Sequence, residues 1–593
     1  MCGITAYLGK KKQVFKYLVE TLNVLRSRGY DSAGVCSVTD KINIYKTTEQ
    51  DLNKLLNDNQ ELESYNGLGH TRWATHGCIS INNTHPFVCY KNKFILIHNG
   101  IIKNSDEIRK NLLNNDVTFR GETDSEVVCN LISFLYHNSE TKNMTEILKD
   151  AFSRLTGYWS IALLKVDEQN KMYVSNRETP FLIGYTEDAY FISSDFNTFS
   201  HKTEKYVELT DGDILELVYD IESNKVNSEI FSKYKKYSID ETVKQNLTPY
   251  PYEHWLIKEI LEQPKSIQKT LKKNNVFNDT FYNIINDVEN IILIGAGTSY
   301  HAGMMGEVYI KNETKLNAYC INSSEFQLTD IPKYGNTCFL FISQSGETKD
   351  LYDIIVKLKK MNKGYRFMSV TNSYNSLIPR NCEFNLYLNL TKEMSVGSTK
   401  TFTCSVLMMK IIVSHILRTD KKDILHLSSD VEKTILSNQE TVKELLDFVN
   451  NKNMVFLSSS KSNIPIVKEV NLKFQELCYV YSLCSGAKNL KHGPLALISY
   501  NTPVFFFAPT KEDYENIKSV AHEVKSRGGF NILISNNLDY DENIFNKLLY
   551  VQNNKEFPNL MTLYPLQLFV YYLSIHKGIN PDFPRNLAKC VTV

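Results

Sequence analysis

The sequence of 593 residues holds 12 cysteines but no C-x-x-C pair and no group of histidines and cysteines at zinc spacing. Thiols scattered in this way argue against a structural zinc site or a disulfide scaffold and fit reduced cysteines in a cytoplasm. Neither sign of charge is in excess: 67 Lys and Arg stand against 66 Asp and Glu, a formal net charge of +1. No bulk field then draws the chain to nucleic acid or to an anionic membrane, so an anionic substrate has to be held by a local site. Apolar runs such as Ile291 to Ile294 and Val504 to Ala508 are short, whereas a membrane-spanning helix needs ~20 residues. No basic start followed by an apolar stretch opens the chain, so a soluble protein without a cleaved targeting peptide is expected.

What is present is length with regular punctuation. A chain of this size divides into three or four domains. Up to about residue 235, short runs such as Lys93 to His98, Trp159 to Val166 and Tyr190 to Ser193 read as strands, interrupted by two helical stretches. The polar stretch from Lys233 to Pro251 reads as a connection between domains. Beyond it strands alternate with helices. Ile291 to Ile294 feeds Gly295-Ala296-Gly297-Thr298-Ser299 and a helix through Tyr309; Phe339 to Ile342 feeds Ser343-Gln344-Ser345-Gly346-Glu347-Thr348 and a helix with Leu351, Ile354, Ile355 and Leu358 on one face. This is βαβ logic, which predicts a parallel sheet with ligands at the strand C-termini. A second unit of the same kind starts at Met454 to Leu457, with strands at Val504 to Phe507 and Ile532 to Ile534, after a connecting helix over Asp420 to Asn450. The expected division is 2–235, a linker 236–252, 253–440, 441–580, and a tail 581–593 too short for its own core.

Cys2 follows the initiator Met1. Removal of Met1 leaves a thiol and an α-amine on one residue, and an amine of pKa ~7.7–8.0 can take the thiol proton directly or through a water. A cysteine in second place is otherwise unremarkable. Arg28-Gly29-Tyr30-Asp31-Ser32-Ala33-Gly34, His70-Thr71-Arg72-Trp73-Ala74-Thr75-His76-Gly77, His98-Asn99-Gly100 and Gly121-Glu122-Thr123-Asp124 follow it in order. His98-Asn99-Gly100 reads as the end of a strand, where the Asn99 amide and the Gly100 N–H can point at a developing oxyanion; a hairpin turn is the alternative. Arg72 can pair with an α-carboxylate and Asp124 can accept from an α-ammonium; alone, each reads equally as a surface charge.

Further along, Gly297-Thr298-Ser299 and Ser343 to Thr348 are hydroxyl-rich turns entering helices, suited to a phosphate or simply to N-capping. Glu469, Lys473 and Glu476 share one helix face, as a surface ladder worth ~0.2–0.5 kcal/mol per pair or as acid–base groups. Leu490-Lys491-His492-Gly493-Pro494 places a histidine before a Gly-Pro turn, and Pro584-Arg585-Asn586-Leu587-Ala588-Lys589 places a lysine near the chain end. Histidine, carboxylate and an imine-forming lysine suit the ring opening, proton shuttle and carbonyl activation of an aldose–ketose isomerisation.

Over roughly the first 230 residues these motifs resemble the glutaminase domain of the class II, N-terminal-nucleophile amidotransferases. The rest resembles a pair of sugar isomerase domains, with Glu393-Met394-Ser395-Val396-Gly397-Ser398-Thr399-Lys400 as a third loop and Trp255 to Pro264 as the stretch that opens them. The whole chain thus resembles the isomerising amidotransferases that join both parts. The resemblance implies an α/β multidomain protein: an αββα glutaminase domain followed by two doubly wound parallel-sheet sugar isomerase domains. It implies Cys2 as nucleophile, Asn99 and Gly100 as oxyanion hole, and Arg28, Arg72, Thr75, His76 and Asp124 around glutamine. It implies Thr298, Ser299, Ser343, Gln344, Ser345, Thr348, Val396 and Ser398 around the sugar phosphate. By the same resemblance Glu476 shuttles the proton, Lys473 assists, Lys589 forms a fructosimine, and His492, supplied by the partner subunit, opens the ring. Trp73 gates an internal passage for ammonia, and the tail closes over the sugar. The implied reaction takes L-glutamine and fructose 6-phosphate to glucosamine 6-phosphate, the entry to UDP-N-acetylglucosamine synthesis, without metal or organic cofactor. A cytoplasmic homodimer with no nucleic-acid or membrane partner is expected.

Three positions depart from the family pattern: Lys488-Asn489 replaces Gly-Glu, Ser458-Ser459-Ser460 replaces Gly-Arg-Gly, and no Glu follows Val593. The long glutaminase-domain insertion of the animal and fungal members is absent as well. A sugar-phosphate-binding protein without catalysis is expected to have lost Glu476, His492 or Lys589, and none is lost. An amidotransferase acting on phosphoribosyl diphosphate is expected to carry an acidic, magnesium-associated loop, which is not found.

Overall fold

The computed structural model describes residues 2–49, 51–56, 62–74, 77–179, 181–238, 248–272, 277–374, 376–419, 422–452, 454–587 and 589. The chain forms two compact units, Met1–Leu247 with Val593, and Thr248–Thr592.

In the first unit, an eight-stranded and a six-stranded antiparallel sheet pack face to face. Side chains alternate along a strand, and the sequence uses that period. Ile4, Ala6 and Leu8 of the strand Gly3–Gln13 meet Ile95, Ile97 and Ala162 between the sheets. Tyr7, on the opposite face, packs under Val14, Leu18 and Leu22 of the helix Val14–Leu25. Leu96 and Leu163 lie under Val128 and Ile132 of the helix Asp124–Asn138 and Ile147 of the helix Met144–Ser153. The layers are therefore αββα, as expected. One local expectation is overturned: His98-Asn99-Gly100 neither ends a strand nor turns. The strand Phe94–Ile102 runs through it, pairing Asn99 with Ser160 and Gly100 with Trp159. Gly100 has φ 137°, and a Cβ there meets the Tyr158 carbonyl oxygen at 2.0 Å, so only glycine keeps the ladder intact. The polar stretch expected as a linker begins within the sheet, since Lys236–Ser238 pairs with Lys205, Tyr206 and Val207 as an edge strand.

The second unit carries two five-stranded sheets whose pairings are all parallel. The first has the order Asn317–Asn322, Asn290–Gly295, Thr337–Ser343, Arg366–Thr371, Phe384–Tyr387. The second has the order Tyr481–Gly486, Met454–Ser459, Pro503–Ala508, Phe530–Ser535, Lys547–Tyr550. In each, the first strand in the chain lies second in the sheet. The following strands leave it on opposite sides, which opens a crevice at its C-terminal end. One hydrophobic core runs through both halves, from Leu293 and Met409 to Phe505 and Phe569. At its centre is the helix Lys400–Leu417, whose mean hydropathy of 1.4 passes for a membrane span but which is 83% buried inside the protein. The helix Leu427–Glu444, within the stretch expected to connect the halves, turns Leu427, Val431 and Ile435 into that core while its other face stays polar.

Candidate active sites

Cys2 immediately precedes the central strand of the first unit, and its pairing with the strand Glu63–Arg72 brings it to the end of that neighbour: Gly3 stands opposite Thr71 and donates to its hydroxyl at 3.1 Å. The Cys2 thiol accepts from Trp73 N–H at 3.1 Å. Burial pushes the thiol above its ordinary range, against the pull of that N–H and of the Arg72 guanidinium. Asn99 comes to the same point from the other sheet. Its Nδ2 donates to the Cys2 carbonyl at 2.7 Å, and its Oδ1 faces His70 Nε2 at 3.0 Å.

His70 Nε2 also faces the His98 carbonyl at 3.1 Å. With two oxygens before it, that nitrogen carries the hydrogen. Burial holds the ring neutral, its pKa lowered to about 3. His70 thereby fixes which way the Asn99 amide points. Arg72, 3% exposed, donates to the carbonyls of Cys78 and Gly77, and Asp31 accepts from Ala74 N–H at 2.8 Å. Gly29 is glycine because a Cβ lies 2.7 Å from Trp73 N. Asp124 opens its helix and accepts from Ile102 N–H at 3.0 Å and Ser125 N–H at 2.9 Å. Arg28 faces Asp195 at 3.6 Å. Thr75 and His76 lie outside the described residues.

In the second unit the two hydroxyl turns sit at the crevice of the first sheet, after neighbouring strands. N-capping does not explain them. The caps of the helices Thr298–Glu313 and Lys349–Lys360 are Gly297 and Thr348, and neither makes a side-chain cap bond. Instead the Ser343 and Thr348 hydroxyls pair at 2.9 Å, Ser343 Oγ accepts from Gly346 N–H at 3.0 Å, and Ser345 Oγ accepts from Glu347 N–H at 3.2 Å. The turn is thus shaped from within, at the positive end of a helix. Ser299 and Gln344 are half-buried beside these hydroxyls in the chain.

The helix Ile464–Cys478 of the second sheet reaches across to the first. Glu469, fully buried, accepts from the Thr298 hydroxyl at 3.0 Å and meets His301 Nδ1 at 2.7 Å. Lys473 lies between Glu469 at 3.3 Å and Glu476 at 2.6 Å, and its Nζ is 3.4 Å from Thr298 Oγ1. Glu469 and Lys473 are buried, so the surface-ladder alternative fails. Burial alone pushes the Lys473 ammonium down, but the two carboxylates raise it above its ordinary value; burial alone raises Glu469, but Lys473 and His301 hold it below. Glu476 is the more exposed carboxylate, its side chain 18% accessible.

The Glu393 to Lys400 loop packs on this helix, since a Cβ on Gly397 meets Leu477 at 2.9 Å. Val396 N–H donates to the Asp582 carbonyl of the tail, and the Asp582 carboxylate caps the helix Trp255–Leu261 through Trp255 and Leu256 N–H, both at 2.8 Å. The tail is thereby tied to the loop, and Lys589 Nζ reaches Glu393 at 2.5 Å, with Ser398 Oγ on the same carboxylate oxygen at 2.8 Å. His492 is exposed at the end of the short 3₁₀ turn Ala487–His492. His70, Asp31, Glu393 and His301 received no role from the sequence. For His301 the signal was available: it lies three residues after Thr298, on one helix face.

A glutamine amidotransferase domain model matches residues 70–201, and a SIS domain model matches residues 284–414 and 447–577. The chain is 34% identical over 617 residues to the protein of Acanthamoeba polyphaga mimivirus named probable glutamine–fructose-6-phosphate aminotransferase (isomerizing), with 100% of both chains covered. It is 32% identical, again with 100% of both covered, to the glutamine–fructose-6-phosphate aminotransferase (isomerizing) of Aquifex aeolicus. Among solved structures, the C-terminal domain of glucosamine-fructose-6-phosphate aminotransferase from Francisella tularensis superposes with a TM-score of 0.51 at 26% identity, covering 57% of this chain and 99% of that one.

Proposed function

The chain belongs to the isomerizing glutamine–fructose-6-phosphate aminotransferase family, and from that membership we propose how its two sites carry the family reaction. The enzyme transfers the amide nitrogen of glutamine to fructose 6-phosphate and isomerises the product to glucosamine 6-phosphate. In our reading, Cys2 attacks the glutamine amide once Met1 is removed, its own α-amine taking the thiol proton. Asn99 has a second Nδ2 hydrogen beyond the one given to the Cys2 carbonyl, and with Gly100 N–H it receives the oxyanion. Arg72 and Asp124 grip the α-carboxylate and α-ammonium, with Arg28, Thr75 and His76 around them, and Trp73 gates the ammonia.

For the sugar, the hydroxyls of Thr298, Ser299, Ser343, Ser345 and Thr348 with Gln344 take the phosphate, with Val396 and Ser398 along the third loop. Glu476 moves the proton between C1 and C2. Lys473 holds the Glu476 carboxylate in place through the contact at 2.6 Å. Lys589 forms the imine. The observation that carries this reading is the contact of a helix from the second sheet with the hydroxyl turn at Thr298 of the first, while the loop that holds the tail lysine packs on the same helix. The exposure of His492 supports its service to the sugar site of a partner subunit, hence a homodimer, and the free thiols of the described cysteines support a cytoplasmic setting.

The test is glucosamine 6-phosphate formation by the wild type and Cys2→Ala, each given fructose 6-phosphate with glutamine or with an ammonium salt. The expected result is product from both enzymes with ammonium and from the wild type alone with glutamine. Product from Cys2→Ala with glutamine overturns the nucleophile assignment.

A further inference from the structure

Glu393 is 1% exposed, and its carboxylate collects five donors. Oε1 accepts from Thr399 N–H at 2.8 Å, Thr399 Oγ1 at 3.3 Å and Thr401 N–H at 3.2 Å; Oε2 accepts from Ser398 Oγ at 2.8 Å and from Lys589 Nζ at 2.5 Å. Thr399 and Thr401 are the cap and the second residue of the helix Lys400–Leu417, so the carboxylate is fixed to the positive end of the central helix of the unit. Burial works against its charge, but Lys589 and these donors outweigh burial and hold its pKa down to about 2.

Other charged groups face it, each with hydrogen-bond partners elsewhere. Lys400, from the helix, is 1% exposed and spends its ammonium on Glu262 Oε2 at 3.1 Å and Thr391 Oγ1 at 3.0 Å. Glu259, from the helix Trp255–Leu261, accepts from Met394 and Ser395 N–H. Burial raises its pKa to about 8, against the pull of the Lys400 ammonium. Of the two lysines in this cluster, the one on the tail is held by a carboxylate that cannot move.

We propose that Glu393 is a positioning residue for the sugar reaction: it places the Lys589 amine beside Ser398 and serves as fixed counter-ion to the iminium that this amine forms with the open-chain ketose. The proposal rests on the reading of Lys589 as the imine-forming amine. The ammonium first releases a proton. The nitrogen lone pair then attacks the C2 carbonyl carbon, the carbonyl oxygen takes a proton, and loss of water leaves C=N⁺H. Ammonium plus ketone becomes iminium plus water, so the charge beside Glu393 is +1 before and after, and only the transient amine leaves a buried carboxylate unpaired, a costly state. Glu393 therefore favours the iminium.

The experiment treats full-length wild type, Glu393→Gln and Glu393→Asp with fructose 6-phosphate and borohydride, locates the trapped sugar by peptide mass, and measures kcat and KM with ammonium. In Glu393→Gln, trapping at Lys589 is expected to fall at least about tenfold, and kcat to fall with it while KM for the sugar changes little. Glu393→Asp keeps the charge but draws it back, so kcat falls about tenfold and KM again changes little. A merely structural Glu393 leaves the fraction of folded enzyme trapped at Lys589 at the wild-type value in both variants. Wild-type trapping and wild-type kcat in Glu393→Gln overturn the proposal; if Glu393→Gln does not fold, a Glu393→Asp enzyme with wild-type kcat overturns it. Absence of any sugar on Lys589 in the wild type instead overturns the reading of Lys589 itself.

Discussion

The strands Asn290–Gly295 and Met454–Ser459 hold the same place in their two sheets, and each ends in a turn that enters a helix. After the first, and after its neighbour Thr337–Ser343, the turns are rich in half-buried hydroxyls beside helix ends without side-chain caps. After the second, Ser460 bonds Asp513, Thr510 bonds the same carboxylate at 2.6 Å, and Asn559 takes the Ser462 carbonyl at 2.9 Å. The Asp513 carboxylate thus fills the turn whose counterpart in the first half is proposed to take the phosphate. The Ser458-Ser459-Ser460 departure from the family pattern falls at this closed turn, away from the reacting groups. The second half contributes its helix instead, sending Glu469, Lys473 and Glu476 to the first half. In the function proposed above, one copy of this duplicated fold holds the anion and the other supplies the acid–base groups.

The most severe way to break that division is Lys473→Met, which leaves Glu469 and Glu476 without the cation between them. Stability of the second unit is expected to fall by about 3–5 kcal/mol in a denaturant titration. Ammonia-dependent product formation is expected to fall by roughly 10²–10³-fold. Retained activity means that the acid–base groups lie elsewhere. The two turns themselves are separated by Ser343→Ala and Ser459→Ala. Loss of a hydrogen-bonding group at the phosphate is worth about 1.5–3 kcal/mol, so KM for fructose 6-phosphate is expected to rise at least about tenfold in the first and to stay at the wild-type value in the second. Equal effects erase the distinction.

Acid–base behaviour divides within the first half as well, where the buried carboxylates Glu259 and Glu393 are shifted in opposite directions. The Glu259 carboxyl, raised by burial from 4.5 to about 8, binds more protons folded than unfolded. Its contribution to stability is full below 4.5 and is lost as pH climbs to about 8. Glu393, held at about 2 against 4.5, contributes above 4.5 and loses that contribution as pH falls toward 2. The thermal midpoint of the second unit is expected to decline across the neutral range in the wild type and to decline less in Glu259→Gln. Parallel declines exclude Glu259 as the cause. The smallest effect is expected of Asp513→Asn: about 1 kcal/mol of stability, with calorimetry still finding a single fructose 6-phosphate per chain. A second bound sugar phosphate in the wild type contradicts the closed turn.

Much of this division was legible in the residues. The i, i+4, i+7 spacing of Glu469, Lys473 and Glu476 placed them on one face, and the apolar runs before Gly295 and Ser343 located the two strand ends. Their burial was not legible, because the hydroxyl that meets Glu469 belongs to Thr298, 171 residues away. Asn99-Gly100 was misread for the opposite reason. Asn-Gly is a strong local signal for a turn, and nine paired residues with the strand Gly157–Lys165 override it.

By itself, then, the sequence determined the kind of chemistry available: a thiol next to the chain start, an amide and an arginine in fixed order, hydroxyl turns after strands, a lysine near the end. Those are properties of residue type and short spacing, which need no fold to be read. The tertiary structure decided which groups act on which. It set the Asn99 amide by His70, enclosed Lys473 between two carboxylates, closed the second turn with Asp513 and laid Lys589 on Glu393. Apart from the Lys473 pairs, which lie on one helix but are buried only against Thr298 of the other half, those contacts join separate elements, and each buried charge or amide is tolerable only once its partner has arrived.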